Sequence, residues 1–445
     1  MLKPDAPTVS SDRTRLDVMN FLNEIAGRYP QAISFASGRP AEAFFDMQEY
    51  ARRLPLFVRH LQAVHGTSFE VSFNRLAQYG NTNGLINDLV ARQVGQDEGI
   101  RCQPSQLLIT AGCQEAMDLC VTTLCREPGD VLLVRSPTYI GITGVADLNR
   151  IEMAPFSCAD GDSFTARLIA AADAAERSGK RPRAVYLVPD FDNPTGQVLT
   201  RAEREALIAV CVARRIVVLE DNPYGMFRFE GEAVPRMAAL DAQGCVVYLG
   251  SYAKTLCPAL RVGFAIVPPT LFGDAHAAMR LLAELSQAKS FATVNTSQIA
   301  QAMVGGLLLA ENASLARRVA PANEFYRHNR DAMLGALEAA FPPPTGVTWN
   351  TPQGGFFLTV ALPFDFGHEE AQVCASAYGV LTMPLSFFAL NRDEDRRVRL
   401  AFSNSDPERI REGIARFSRF VQWRSSTSAA SPSASAQAPI QSVSA

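Results

Sequence analysis

The chain has 445 residues, of which 47% are hydrophobic and 20% charged. This composition is typical of globular proteins and excludes a disordered or fibrous chain. With 42 basic and 45 acidic residues the net charge is −3, so no broad cationic field is present to bind nucleic acid or anionic lipid. Small molecules are the expected partners, and the length predicts a large domain with a smaller companion.

The nine cysteines are scattered, without the close pairs that structural zinc sites require, so we expect no metal. The N-terminal segment lacks an apolar core of signal-peptide length, and no run approaches the ~20 apolar residues that span a bilayer. We therefore expect a cytoplasmic protein without membrane association.

In chain order, residues 1–65 are expected to form an N-terminal arm that packs with the smaller domain. From about residue 106 to residue 267, short β-branched runs alternate with helical segments. The runs lack strict alternation of apolar and polar residues, which is typical of strands covered by helices on both faces. This pattern predicts an α/β fold with a mostly parallel sheet in a large domain, residues 66–310.

The segment after Leu271 is predicted to be helical through residue 340, with breaks near residues 305–306 and at Pro321. Shorter strands then mix with helices, which predicts a small α+β domain over residues 311–424. Residues 425–445 are almost entirely Ser, Ala, Pro and Gln. Such a segment has too little apolar surface to offset the entropy of ordering, so we expect a disordered tail.

Unusual residues stand where strands of the large domain end, which is where ligands bind in open α/β sheets. Gly112 ends one strand, and the exposed amides of Cys113 and Gln114 at the start of the next helix can bind phosphate. A strand-to-helix turn that binds no ligand would have the same sequence pattern. Asn193, in the sequence NPTG, can donate a hydrogen bond to a ring oxygen, and Asp221 is a partly buried carboxylate that needs a cationic partner.

A fourth block, residues 250–263, reads GSYAKTLCPALRVG. Lys254 follows an apolar strand and lies between Ser251 and Arg261, two residue types suited to binding phosphate. A lysine held among cationic and apolar groups loses its proton readily and becomes an amine nucleophile.

Taken together, the motifs NPTG, EDxPY and SxxKTLxPxLRxG resemble those of the class I/II aminotransferases, the fold-type I enzymes that use pyridoxal 5′-phosphate (PLP). The resemblance runs from about residue 32 to residue 417. It implies that Lys254 attaches to the cofactor aldehyde and later transfers the substrate α-proton. It also implies that Asp221 pairs with the pyridine nitrogen, that Asn193 and Tyr224 bind the phenolic oxygen, and that Tyr139 stacks on the ring.

By the same resemblance, the phosphate is expected to contact the residues at the strand ends, namely Gly112, Cys113, Gln114, Ser251 and Arg261. A tyrosine of the facing subunit completes this site in the family, and Tyr79 in the sequence QYG matches it. The resemblance therefore implies a homodimer with shared active sites.

The substrates implied are an amino acid and a 2-oxo acid. Gly38 belongs to the segment FASGRP that resembles the family's substrate loop. Asn193 is also expected to bind the substrate. Arg399 matches the residue that binds the substrate α-carboxylate. Strand alternation puts Arg397 on the same face as Arg399, so geometry alone does not choose between these two.

The chain also departs from the family pattern. Arg39 stands where the substrate loop usually has an apolar residue, and it can bind a distal carboxylate or a phenolic hydroxyl. Phe387 and Phe388 replace smaller residues; they are either apolar walls of the pocket or part of the small-domain core. The segment 19–40 resembles transaminases of specialised metabolism that act on aromatic glycines such as (S)-3,5-dihydroxyphenylglycine, so an aromatic or bulky apolar amino donor is expected.

Two alternatives remain open at this stage. The same scaffold supports decarboxylation, elimination or oxidation at the α-carbon, depending on which bond lies perpendicular to the cofactor ring. A second alternative is a regulator that senses PLP without catalysis. Because about 30 residues precede the substrate loop, too few for a DNA-binding module, the sequence disfavours the regulator.

Overall fold

The computed structural model describes residues 24–25, 27–157, 163–391 and 394–429. Strand β1 (Ile33–Ser34) comes first, followed by helices α1 (Met47–His65), α2 (Phe69–Arg75) and α3 (Asn87–Glu98). Helix α1 begins after Asp46, whose side chain accepts a hydrogen bond from the Gln48 amide, and ends at Gly66, which has a φ of 62°. Both ends are therefore capped by residue types that helices prefer at these positions.

The large domain is built on a central sheet. Its strands are β2 (Leu107–Thr110), β3 (Asp130–Ser136), β4 (Glu152–Ser157), β5 (Arg181–Leu187), β6 (Val217–Asp221), β7 (Val246–Ser251) and β8 (Gly263–Ile266). The helices are α4 (Cys113–Leu124), α5 (Ile140–Leu148), α6 (Phe164–Arg177), α7 (Arg201–Arg214), α8 (Met237–Leu240), α9 (Ala275–Ala292) and α10 (Gln298–Ala310). In the described chain the strand order is β2-β8-β7-β6-β5-β3-β4.

Strand β8 is antiparallel to both of its neighbours, and the remaining pairs in this sheet are parallel. Every residue of β2, β3, β6 and β8 is buried. Burial on both faces explains the continuous apolar runs in the sequence, because helices cover a parallel sheet on each side. The predicted α/β fold is confirmed.

The smaller domain contains α11 (Ala316–Ala340), β9 (Thr348–Trp349), β10 (Phe357–Ala361), α12 (His368–Tyr378), β11 (Val380–Leu381), β12 (Met383–Pro384), β13 (Arg397–Ala401) and α13 (Pro407–Ala429). An antiparallel sheet in the order β12-β13-β10-β9 packs with these helices, and β1 pairs in parallel with β11. The N-terminal segment therefore contacts both domains, since β1 joins the smaller domain while α1 packs along α10.

Three local expectations from the sequence are wrong. Helix α10 continues through Gly305 and Gly306, where a Cβ atom would lie 2.5 Å from the Phe57 ring and 2.2 Å from the Arg53 carbonyl oxygen, respectively. These glycines therefore permit close packing of α1 on α10 and do not end the helix. Pro321 also lies inside a helix, α11.

The third concerns the C-terminal tail, which was expected to begin at residue 425. Helix α13 continues to Ala429, so residues 425–429 are helical, and the rest of the predicted tail lies outside the described residues. Among the described helices, none has both the length and the apolar composition that crossing a bilayer requires.

A buried ionic network joins the loops that follow β5 and β6. Asp190 has no solvent-exposed surface and accepts hydrogen bonds from Arg204 at 2.8 Å and from Arg236 at 3.0 Å. Arg236 also donates to Glu98 at 2.8 Å, at the end of α3. Because each buried charge has an opposite partner, the network fixes the loops at the carboxyl ends of neighbouring strands.

Removing one member of this network leaves the others buried and unpaired. We expect Asp190→Ala to lower the free energy of unfolding by about 3–5 kcal/mol, because the arginines would stay buried without their anionic partner. Urea unfolding followed by circular dichroism measures the loss. Asp365→Ala is the control, because the side chains of Asp365 and Arg396 are 72% and 67% exposed, and its loss is expected to be about 0–1 kcal/mol. Equal losses in the two variants would contradict a stabilising role for the network.

Candidate active site

A cavity of about 600 Å³ lies at the carboxyl ends of the parallel strands, between the two domains. Its lining contains most of the residues singled out from the sequence, namely Gly38, Cys113, Gln114, Tyr139, Asn193, Asp221, Tyr224, Ser251, Lys254, Arg261 and Arg399. Gly112 lies immediately outside it, and Tyr79 does not line it. The sheet topology thus gathers residues that are up to 361 positions apart in the chain.

Lys254, after strand β7, lines this cavity. Its Nζ donates a hydrogen bond to the Gly38 carbonyl oxygen at 3.1 Å. Burial lowers the pKa of Lys254 to about 8, with Arg399 and Arg261 lowering it further and Asp221 raising it. About a tenth of this amine is therefore neutral, and nucleophilic, at pH 7, and about half is neutral at pH 8.

Asp221, the last residue of β6, is held by two side-chain donors. The Tyr186 hydroxyl donates to Oδ2 at 2.5 Å and the Cys113 thiol donates to Oδ1 at 3.2 Å. Burial raises the pKa of Asp221 to about 6, while these hydrogen bonds and the nearby Lys254 lower it. The carboxylate is thus oriented on both oxygens and attractive to a cation inside the cavity.

The start of helix α4 forms an anion-binding corner with Arg261. Gly112 has a φ of 82°, and a Cβ atom there would lie 2.4 Å from the Arg261 guanidinium. Glycine is therefore required for the guanidinium to lie against the helix N-terminus, where the first-turn amides of Cys113 and Gln114 have no partner within the helix. Ser251 adds a hydroxyl to this corner. Such a donor set suits a phosphate group.

Arg399 lines the same cavity and is only 4% exposed. It donates to Asn193 Oδ1 at 2.6 Å and to the Ala36 carbonyl oxygen. Its guanidinium stacks between the Phe357 and Phe388 rings, 4.3 and 4.7 Å from their centroids. Burial lowers the pKa of Arg399 to about 10, which leaves it charged at neutral pH. Within the described part of the chain, its Nε has no hydrogen-bond partner.

The neighbouring arginine on β13 is different. Arg397 is half-buried, its side chain is 43% exposed, and it pairs with Glu394 at 3.6 Å. Strand alternation could not separate Arg397 from Arg399, but the structure does, since Arg399 lines the cavity and Arg397 does not.

Tyr139 and Tyr224 lie in the same cavity as Asn193. Burial raises the pKa of Tyr139 to about 12 and that of Tyr224 still further, so both hydroxyls keep their protons at neutral pH. Tyr224 packs edge-on against Phe357 at a centroid distance of 5.7 Å. The two hydroxyls are therefore available as hydrogen-bond donors.

An apolar compartment adjoins Arg399. It is formed by Ile25, Tyr29, Ile140, Met383 and Phe388, all of which line the cavity and pack in one cluster. The sequence did not decide whether Phe387 and Phe388 are pocket walls or core residues, and the structure separates them. Phe388 lines the cavity, while Phe387 is half-buried and lies near the His368 ring.

Sequence reasoning missed several contributors. Tyr186 was regarded only as part of a strand, and Cys113 was expected to contribute only its backbone amide, whereas both side chains hold Asp221. Phe357 was not singled out either. Its ring stacks on Arg399, and it also lies so close to Gly38 that a Cβ there would be 2.2 Å away. No local motif marks these residues, because they act through contacts between distant segments.

Comparisons with known proteins identify the family. The model of the family "aminotransferase class I and II" matches residues 50–417. The chain is 39% identical to (S)-3,5-dihydroxyphenylglycine transaminase from Amycolatopsis orientalis over 407 residues, 91% of each chain. It is 30% identical to aromatic-amino-acid aminotransferase 1 from Thermococcus litoralis, over 78% of this chain and 80% of that one.

A solved structure agrees with these sequence matches. Kynurenine aminotransferase from Pyrococcus horikoshii, crystallised with PMP, is 27% identical and superposes with a TM-score of 0.78, covering 92% of this chain and 94% of that one. The fold, the cavity and these relatives lead to one conclusion: the chain belongs to the class I and II aminotransferases and is a PLP-dependent aminotransferase.

Proposed function

We propose that the protein transfers an amino group between an aromatic or bulky apolar amino acid and a 2-oxo acid. The observation that carries this proposal is the apolar compartment beside Arg399, since it offers a side-chain site next to a carboxylate site. The names of two relatives, a dihydroxyphenylglycine transaminase and an aromatic-amino-acid aminotransferase, support it. By analogy with the first, a role in specialised metabolism is part of the proposal.

The residues of the cavity fit PLP in size and charge. The corner formed by Gly112, Cys113, Gln114, Ser251 and Arg261 would hold the phosphate. Asp221 would hold a protonated pyridine nitrogen, with Tyr186 and Cys113 keeping its carboxylate oriented. When bound, PLP supplies an aldehyde that exchanges with amino groups and a ring that accepts electrons from the substrate α-carbon.

Three residues would align the other parts of the site. Asn193 and Tyr224 would donate hydrogen bonds to the phenolic oxygen of the cofactor, and Tyr139 would stack against the ring. Because these side chains are fixed by buried packing, they would keep the cofactor plane constant while the substrate changes.

Lys254 would both attach the cofactor and move the substrate α-proton. Its amine is neutral over part of the physiological pH range, which both functions require. Its hydrogen bond to Gly38 links the amine to the loop expected to cover the substrate. Arg399 would bind the α-carboxylate with its guanidinium, assisted by Asn193.

Exposed aromatic residues support a homodimer. The side chains of Phe69 and Phe73 stack on each other while 40% and 45% exposed, and Tyr79 and Phe291 are 78% and 87% exposed. Phe69, Phe73 and Tyr79 lie within one short stretch of the chain, and clustered exposed apolar side chains are typical of an interface. We infer that a second copy covers them and that Tyr79 reaches the phosphate corner of that copy. The cytoplasmic location expected from the sequence stays a prediction.

The attachment of PLP to Lys254 is expected to depend on pH in a defined way. The rate of covalent attachment to the cofactor-free protein should rise with pH through a midpoint near 8, because only the neutral amine reacts. Borohydride trapping with peptide mass spectrometry measures it. Asp221→Asn should move the midpoint to lower pH, since Asp221 raises the Lys254 pKa. Lys254→Ala should show no attachment, and a midpoint near 10.5 in the unaltered protein would contradict the assignment.

A shared active site predicts complementation between two inactive chains. Tyr79→Ala and Lys254→Ala chains are each expected to be poorly active or inactive as homodimers. In a mixed dimer, one of the two sites has both native residues, so unfolding and refolding the chains together should restore activity. Size-exclusion chromatography with light scattering checks that the native protein is a dimer. A monomer, or a mixture no more active than its parts, would show that Tyr79 does not act across subunits.

The proposed function itself is tested with the holoenzyme and a panel of amino acids. Arylglycines, phenylalanine or leucine should convert the bound cofactor to its amine form, and a 2-oxo acid should reverse the conversion. Their kcat/KM values should exceed that of aspartate, and a value for aspartate about tenfold higher than theirs would overturn the aromatic assignment. Release of carbon dioxide or ammonia would instead favour the alternative chemistry of this scaffold at the α-carbon.

A further inference from the structure

The charges that line the cavity are unbalanced. Among the described lining residues the basic side chains are Arg39, Lys254, Arg261 and Arg399, and Asp221 is the acidic one. In the proposed function, Lys254 attaches the cofactor, Arg261 binds its phosphate and Arg399 binds the α-carboxylate. One cation, Arg39, then has no anionic partner in the site.

Arg39 is held in position by its backbone but not by its side chain. Its carbonyl oxygen accepts a hydrogen bond from the Ser403 hydroxyl at 2.7 Å, and the preceding carbonyl, of Gly38, accepts one from Lys254. The Ala36 carbonyl oxygen is bound by Arg399. The side chain of Arg39 is exposed at the cavity rim, and in the described chain it has no ion pair.

From this arrangement we propose that Arg39 is a specificity-determining residue that binds a second carboxylate, at the far end of the 2-oxo acid acceptor. The inference rests on the proposed function, in which Arg399 takes the first carboxylate. It identifies the preferred acceptor class as 2-oxo dicarboxylates.

The position of Arg39 is suited to an enzyme whose two substrates differ in side chain. A guanidinium can bind a carboxylate through two parallel hydrogen bonds, which gives selectivity as well as attraction. Because the Arg39 side chain remains hydrated at the rim, it loses little solvation when an apolar donor occupies the compartment instead. Acceptor selection therefore does not require a second cation buried among the apolar walls, where its desolvation would be costly.

Acceptors that differ only in the distal carboxylate test the proposal. The amine form of the holoenzyme is mixed with 2-oxoglutarate or with 2-oxopentanoate, whose five-carbon chain ends in a methyl group, and the return of the aldehyde form is followed by absorbance. We expect the native protein to prefer 2-oxoglutarate, and Arg39→Leu to reduce this preference by about tenfold, the loss typical of a hydrogen bond to a charged group. Arg39→Lys should retain part of the preference.

Two controls isolate the effect of Arg39. Arg409→Leu removes an exposed arginine on α13 that does not line the cavity, and it should change nothing. The first half-reaction with an aromatic donor should keep its kcat/KM in Arg39→Leu to within about twofold. An equal loss with both acceptors, or no preference in the native protein, would overturn the proposal. So would a loss confined to hydroxylated aromatic donors, since that would make Arg39 a partner of phenolic groups.

A binding measurement separates this proposal from the proposed function. Glutarate and pentanoate bind without being transaminated, and their inhibition or dissociation constants are measured from the change in absorbance of the bound cofactor. If neither 2-oxo acid reacts but glutarate binds more tightly than pentanoate in an Arg39-dependent way, transamination fails and the carboxylate site stands. If transamination proceeds but the affinity for glutarate does not depend on Arg39, the proposed carboxylate site is wrong while the proposed function stands.

Discussion

Burying positive charge in one cavity is the constraint on which the rest of this structure depends. Arg399 is buried and Lys254 is half-buried in the same cavity, and each must be stabilised by the protein or give up its proton. The two meet this constraint differently. Lys254 has its pKa lowered to about 8, while Arg399 stays charged because an amide oxygen, a carbonyl oxygen and two aromatic faces surround it. The amine is therefore partly neutral near neutral pH, whereas the guanidinium stays charged and can bind an anion.

The surroundings of these two groups come from both domains and from the N-terminal segment. Phe357 and Arg399 lie on neighbouring strands of the small sheet, with Thr359 opposite Arg399 in the register. Asn193 comes from the large domain, and the carbonyl groups of Ala36 and Gly38 come from the segment after β1. A relative movement of either domain would therefore change the surroundings and the solvation of Arg399.

The buried network around Asp190 does not line the cavity, but it holds loops that carry residues of the site. It ties the loop that contains Asn193 to α7 through Arg204, and to the end of α3 through Arg236 and Glu98. Asn222, beside Asp221, accepts a hydrogen bond from the Gly225 amide and so fixes the turn that contains Tyr224. Rigid loops at strand ends are what a preorganised site requires, because a displaced donor loses much of its effect.

From the sequence alone follow the α/β class, the mostly parallel sheet and a group of residues most of which line the cavity. These follow from local signals: apolar runs of strand length, and polar or glycine residues at strand ends. Sequence failed where the cause was packing between distant segments. Gly305 and Gly306 suggested a break, yet they let α1 approach α10, and Phe387 and Phe388 were equivalent until the fold turned one toward Arg399. Only the tertiary structure brought Tyr186 and Cys113 to Asp221, because a hydrogen bond between residues 35 or 108 positions apart has no local signature.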